Sequence, residues 1–233
     1  MAKTLSTSAP YKLMAILYKY LPYPYAERFV ASGEVMFRSL SYFLACEHDE
    51  RGDDLEGTHV YEPAMGLEIT KQTGEKVRMQ GSFRSGVREP DKLFIFSTST
   101  LLSADLAQKF KADACVEIAD IDRFVTRLRT ALRRKPRAKL RTLIHGNVKY
   151  YRTENPPEEV WALPERIVMH KPQRFAGQCE YRFAFSTKAD AFNFENVNTT
   201  LVRGQPARLP IANYPFMLLK LGRMSDCCRV RHF

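Results

Sequence analysis

No apolar run among the 233 residues approaches the ~18–20 that a membrane-crossing helix needs, and the first apolar stretch, Leu13–Leu17, is soon cut by Lys19. The opening residues Met1–Pro10 carry Ser, Thr and one Lys but no apolar core of a secretory signal, so a cytoplasmic protein with no membrane partner is expected. Cysteine is scarce: Cys46, Cys115, Cys179, Cys227 and Cys228 form no CxxC pair and are irregularly spaced. That pattern fits free thiols in a reducing compartment better than a disulfide framework or a zinc site. There is no GxGxxG, no Walker loop, no HExxH and no GxSxG, so the usual dinucleotide fold, P-loop, zincin and serine-hydrolase chemistries have no support. Tryptophan occurs once, at Trp161, read as core or cleft lining. With 45% hydrophobic and 27% charged residues the composition is globular, which excludes a disordered, collagen-like or coiled-coil chain.

The charge is concentrated. Between Arg123 and Arg152 lie Arg123, Arg127, Arg129, Arg133, Arg134, Lys135, Arg137, Lys139, Arg141, Lys149 and Arg152 with no acid, more positive charge than the whole chain's net +10. A localised positive field attracts polyanions and speeds their encounter. Residues Arg127, Arg133, Arg134, Lys135, Arg137, Lys139 and Arg141 are therefore the candidate nucleic-acid contacts, with Tyr150 and Tyr151 interleaved further on. The opposite pole is Glu47–Glu62, with acids at 47, 49, 50, 53, 54, 56 and 62.

The hydropathy pattern predicts strands over 11–20, 34–40, 92–99, 114–118, 147–152, 166–170, 179–186 and 198–202, and a hairpin 67–70/76–83 around Thr73-Gly74. Helices are expected over 24–32, stopped by Gly33, over 103–110 behind the N-cap Ser103, and after Asp120 or Asp122 until Pro136 breaks it. On that last helix Ile121, Phe124, Val125, Leu128 and Leu132 share a face; residues 216–221 read as a strand or a helix. Strands outnumber helices and several are joined by short turns. The expectation is a flexible N-terminus over 1–10 and a single α+β domain over 11–233 with a mixed, mostly antiparallel sheet.

Four constellations carry possible chemistry. The loop His48–Gly57 is dense in carboxylates that suit Mg²⁺ or Ca²⁺, although it lacks the EF-hand order and reads more simply as a solvated turn. In Gln178–Phe185, residues 178, 180 and 182 share one strand face and Tyr181, Phe183 and Phe185 the other, so the polar row reads as the wet side of the sheet. Phe96-Ser97-Thr98-Ser99-Thr100 puts hydroxyls at the end of an apolar strand, where they hold a ribose or cap the next element. Phe37–Phe43 brings together Arg38, which suits a bidentate phosphate clamp, and Tyr42, which suits stacking on a flat ring.

The order Leu17-Tyr18-Lys19-Tyr20, then Phe37–Phe43, then Asp53-Asp54-Leu55-Glu56-Gly57, resembles the start of a widespread bacterial domain family of unknown function. Its later blocks match Phe94-Ile95-Phe96-Ser97 and Gln178-Cys179-Glu180-Tyr181-Arg182-Phe183, where Gln178 departs from the family's usual Glu. The layout is also similar to that of mono-ADP-ribosyltransferases, with Tyr18-Lys19-Tyr20 in place of the Arg or His of their first strand. That resemblance implies NAD as substrate, Glu180 and Gln178 as the catalytic pair, and Tyr18, Arg38, Tyr42, Ser97 and Ser99 as the residues that hold NAD. It implies an acceptor that is a nucleic acid or a nucleic-acid-associated target, and a toxin or phage-defence role with a possible antitoxin partner. Two other readings stay open: a non-enzymatic nucleic-acid-binding protein using 123–152, and a metal-dependent nuclease using Asp49, Asp53, Glu56 and Glu180 around Mg²⁺.

Overall fold

The computed structural model describes residues 16–45, 55–203 and 214–233. Its centre is strand β7 (Leu93–Ser99), whose alternation gives the sheet two unlike faces. Phe94 and Phe96 point to one side, and Leu93, Ile95, Ser97 and Ser99 to the other. On one edge β7 pairs along its whole length with β12 (Glu180–Ser186), which in turn pairs with β9 (Lys139–Asn147). Its other edge is shared. Strand β2 (Glu34–Ser39) takes Phe94 and Ile95, and β1 (Leu17–Leu21) takes Ser99. Beyond β2 lies β14 (Phe216–Lys220); beyond β1 lie β8 (Ala114–Ile118) and β15 (Cys228–His232). All these pairings are antiparallel, so the fold is α+β as the sequence predicts.

The aromatic face is covered by α1 (Tyr23–Ser32) and α4 (Ile121–Arg133). Asp120 caps α4 by accepting from the Arg123 amide, and the helix buries Phe124, Val125, Leu128, Ala131 and Leu132. Ring pairs Phe37–Phe185 at 5.0 Å and Phe124–Phe183 at 5.1 Å meet edge to face in this core. Each such pair adds about 0.5–1.5 kcal/mol beyond the burial itself. Gly33 stops α1 in the left-handed region (φ 68°), and a Cβ there would lie 2.2 Å from the Gly222 carbonyl oxygen, so the site admits glycine alone.

The other face is covered by smaller pieces. Strands β3 (Thr58–Tyr61), β6 (Ser82–Val87) and β13 (Val197–Val202) form one small sheet; β4 (Leu67–Thr70) and β5 (Lys76–Met79) form the expected hairpin. Strands β10 (Lys149–Tyr151) and β11 (His170–Pro172) form a short parallel ribbon. Two short helices, α2 (Leu40–Ala45) and α3 (Ala104–Lys109), complete the frame, with Ser103 accepting from the Leu106 amide as the predicted N-cap.

Several expectations change. Residues 166–169 are not a strand: α5 (Pro164–Val168) runs there, because Pro164 starts a helical turn and Glu165 sits at its positive end, and only His170 of the expected stretch joins β11. Strand β12 begins at Glu180, one residue later than expected, and Gln178 lies outside it: Gln178 closes a 3₁₀ turn and Cys179 is left-handed at φ 45°. Strand β9 occupies a stretch read only as basic sequence, and 216–221 resolves to a strand. The 229–233 tail is ordered against β8, with Arg229 and Arg231 both on the buried carboxylate of Glu117. The expectations for residues 1–10 and 11–15 and for most of the acidic loop, Asp49 and Asp53 included, lie outside the described residues.

Candidate active site

Because β1 and β2 take opposite ends of one edge of β7, they diverge, and among the described residues no strand pairs with Phe96–Thr98 on that edge. The gap opens as a cleft of about 630 Å³. That volume is within the roughly 300–1,000 Å³ of small-molecule sites. Tyr18, Arg38, Tyr42, Ser97, Ser99, Gln178 and Glu180, the seven residues singled out from sequence for NAD and catalysis, all line it. At its floor the Lys19 ammonium donates to the Ser97 carbonyl at 2.7 Å, at a position where a neighbouring strand would otherwise lie.

The cleft's inner wall is ionic. Arg182 is fully buried, and its guanidinium forks onto Glu56 at 2.6 and 3.1 Å. The same guanidinium donates through Nε to Glu180 Oε1 at 2.8 Å and to the Val168 carbonyl. Lys171 approaches Glu180 Oε2 at 2.9 Å and Glu56 Oε2 at 3.5 Å. Two carboxylates thus face two cations in a nearly buried quartet, with formal charge in balance, and Glu56, Lys171 and Glu180 keep an edge on the cleft. The polar row on β12 is therefore the inside of the protein: Glu180 is 4% exposed and Arg182 0%. Glu56 comes from the loop before β3 and Lys171 from β11, and both reach this face from elsewhere in the chain.

Burial alone would raise the carboxyl pKa of Glu180, but the charges of Arg182 and Lys171 outweigh it and hold the group well below its ordinary range. Hydrogen bonds from Arg182 and from the Ser97 hydroxyl add to the effect. The Glu180 amide donates to the Tyr150 hydroxyl at 2.7 Å, and Tyr150 pairs with Lys171 across the β10–β11 ribbon. One ribbon thus sets both the backbone and the counter-ion of Glu180. Lys171 also donates to Gln178 Oε1 at 3.2 Å.

Arg38 stands at the opposite wall, its guanidinium 4.5 Å from the Tyr42 ring centre and 5.5 Å from that of Phe216. Among the described residues it has no carboxylate partner, so its donors are available to an anion. Ser99 is committed: its hydroxyl donates to the Gln178 carbonyl at 2.8 Å and accepts from the Leu101 amide at 3.0 Å. Its part in the cleft is to anchor the turn that carries Gln178.

The basic segment divides. Arg123 and Arg127 are tied to Asp226 at 3.0 and 2.6 Å. Arg133, Arg134, Lys135, Arg137 and Arg141 are exposed, and Lys139 is half-buried on β9. Tyr150 and Tyr151 turn inward, Tyr150 to Glu180 and Tyr151 onto the His59 ring at 3.9 Å. Sequence reasoning missed Glu56 as a site residue of the cleft except as a metal ligand, and missed Lys171 altogether. Their only sequence signal is that a buried Arg and Glu on one strand demand partners. No group of three His, Cys, Asp or Glu side chains poised for a metal exists among the described residues. The four described cysteines, Cys115, Cys179, Cys227 and Cys228, are free thiols, and among the described residues no helix is long and apolar enough to cross a membrane.

No protein-family model matches the chain, and neither the curated proteins nor the solved structures contain a match.

Proposed function

We propose that the cleft binds NAD and transfers its ADP-ribose to an acceptor. The observation that carries this reading is the convergence of all seven residues, drawn from four separate stretches of sequence, on one cleft at a split in the sheet. Arg38 would hold the pyrophosphate, pre-oriented by Tyr42 and Phe216. Tyr18 and Tyr42 would flank the flat rings, and the Ser97 hydroxyl would face the ribose beside Glu180.

In this chemistry the bond between ribose C1′ and the nicotinamide nitrogen breaks. Its electron pair leaves with neutral nicotinamide, and C1′ becomes an oxocarbenium-like cation. An acceptor oxygen or nitrogen then forms the new bond to C1′ and gives up its proton to solvent. Glu180 accepts a hydrogen bond from the ribose hydroxyls and stabilises the developing charge. Its low pKa keeps it ionised for this role at every physiological pH. The two cations that fix the carboxylate also dilute its field. Orientation of the ribose is therefore a larger share of its work than bare charge.

The test is calorimetric titration with NAD, followed by nicotinamide release from wild type and Glu180→Gln. Saturable binding with release only in wild type supports the reading; absence of binding in both overturns it. A toxin or phage-defence role comes with the same reading. It predicts poor expression of wild type beside good expression of Glu180→Ala, and a cytoplasmic location.

A further inference from the structure

Strand β14 lies at the margin of the sheet, and its outer side chains are apolar and open to solvent. Phe216 is 59% exposed and Leu218 38%, although both are large and apolar. Between them and the turn after α4 runs a groove of about 440 Å³ lined by Lys135, Pro136, Arg137, Phe216, Met217 and Leu218. Leu218 also lines the cleft, so the groove and the cleft meet at that side chain. Arg133 and Arg134 lie immediately before the turn, exposed like Lys135 and Arg137, and none of the four has a carboxylate partner among the described residues.

We infer that this groove guides a single-stranded nucleic acid from the basic turn, across the Phe216 ring, to the mouth of the cleft at Leu218. Cations beside an open aromatic ring form the combination that binds single strands: ammonium and guanidinium groups track the phosphates while a base stacks on the ring. A duplex keeps its bases stacked on one another, so a single exposed ring offers it little. The cations are also sorted. Those nearer the start of α4, Arg123 and Arg127, are consumed by Asp226, which leaves the positive field at the helix's far end, beside Phe216. Binding along the groove does not require NAD; only the strand's role as acceptor rests on the transferase reading.

The experiment uses the full chain without NAD and tracks fluorescence anisotropy of a labelled oligo-dT and an oligo-U at several salt concentrations. The matching duplex and polyglutamate serve as competitors. Phe216→Ala is expected to weaken single-strand binding about tenfold, within the roughly 1–3 kcal/mol that one base–aromatic stack contributes. Lys135→Gln with Arg137→Gln is expected to reduce the slope of log K against log salt by about 1.4, two phosphates at ~0.7 each. All three side chains are exposed, and circular dichroism checks that the variants fold. Wild-type-like binding by both variants overturns the inference. So does duplex that competes as well as single strand. Displacement by polyglutamate with the same dependence on Phe216 also overturns it, in favour of an acidic protein partner. NAD calorimetry on the Lys135/Arg137 variant keeps the two readings apart, since a failure of NAD to bind leaves the oligonucleotide result standing, and the reverse.

Discussion

Arg182 and Glu56 stand 126 residues apart in sequence, yet the guanidinium of one lies in a two-pronged bond with the carboxylate of the other, both buried. This fork joins the main sheet to the loop that leads into the smaller one. Removing one partner strands a buried charge. Glu56→Gln or Arg182→Met is expected to cost about 3–5 kcal/mol, read from urea unfolding. Simultaneous replacement of both should cost less than the sum of the singles. Additive losses would show that the fork contributes no coupling.

The Arg38 guanidinium offers two parallel donors, a geometry that an ammonium cannot copy. Arg38→Lys should weaken NAD binding about tenfold in calorimetry and leave the unfolding midpoint close to wild type. An unchanged affinity would remove Arg38 from the anion site.

His59 lies 4% exposed against the Tyr151 ring, and burial, helped by the nearby His170, lowers its pKa from 6.5 to about 4. Below pH 6.5 the unfolded chain takes up a proton that the folded chain refuses until about pH 4. Stability is therefore full above pH 6.5, falls between 6.5 and 4, and levels off below, by at most about 3 kcal/mol from this group. His145 and His170 are lowered as well and share the slope, while Glu180 contributes a loss only below its ordinary 4.5. Urea midpoints measured against pH should decline less steeply between pH 6.5 and 5 in His59→Gln than in wild type. Parallel profiles would mean that His59 titrates normally.

Cys179 enters β12 in a left-handed conformation that a side chain with a Cβ occupies at a cost of about 1–2 kcal/mol. Glycine relieves that strain and adds unfolded-state freedom, so Cys179→Gly should lie within about 1 kcal/mol of wild type. Cys179→Val, branched at Cβ, should fall clearly below it and loosen the position of Glu180. Thermal melts of the two variants decide the order.

The parts of the fold that depend on near neighbours are readable in the sequence. The helical spacing of Phe124, Val125, Leu128 and Leu132, the cap at Asp120 and the stop at Gly33 are local physics. So is the alternation that separates Glu180 and Arg182 from Phe183 and Phe185. Alternation names two faces, but it does not say which one is wet. The polar face of β12 is dry because Glu56, Lys171 and Tyr150 are brought over it by chain segments far away in sequence, and no periodicity encodes that encounter. Strand β9 hid beneath its charges, and α5 beneath a β-branched pair, Ile167 and Val168, although Pro164 and Glu165 are the helix-start signals that would have revealed it. Phe216 gave no signal either: an aromatic on an edge strand looks like core until the sheet is assembled.

The gap along β7 is also a safeguard against self-association. Open strand edges recruit other chains, and proteins commonly blunt them with charge, shortness or a covering layer. Here the unpaired stretch, Phe96–Thr98, is bounded at each end by the chain's own strands, and Lys19 occupies its Ser97 carbonyl. Three residues between two fixed walls are too few for an incoming strand to register against. The protein thereby gains a recess at the split in its sheet while giving a neighbouring molecule no edge to extend at that point.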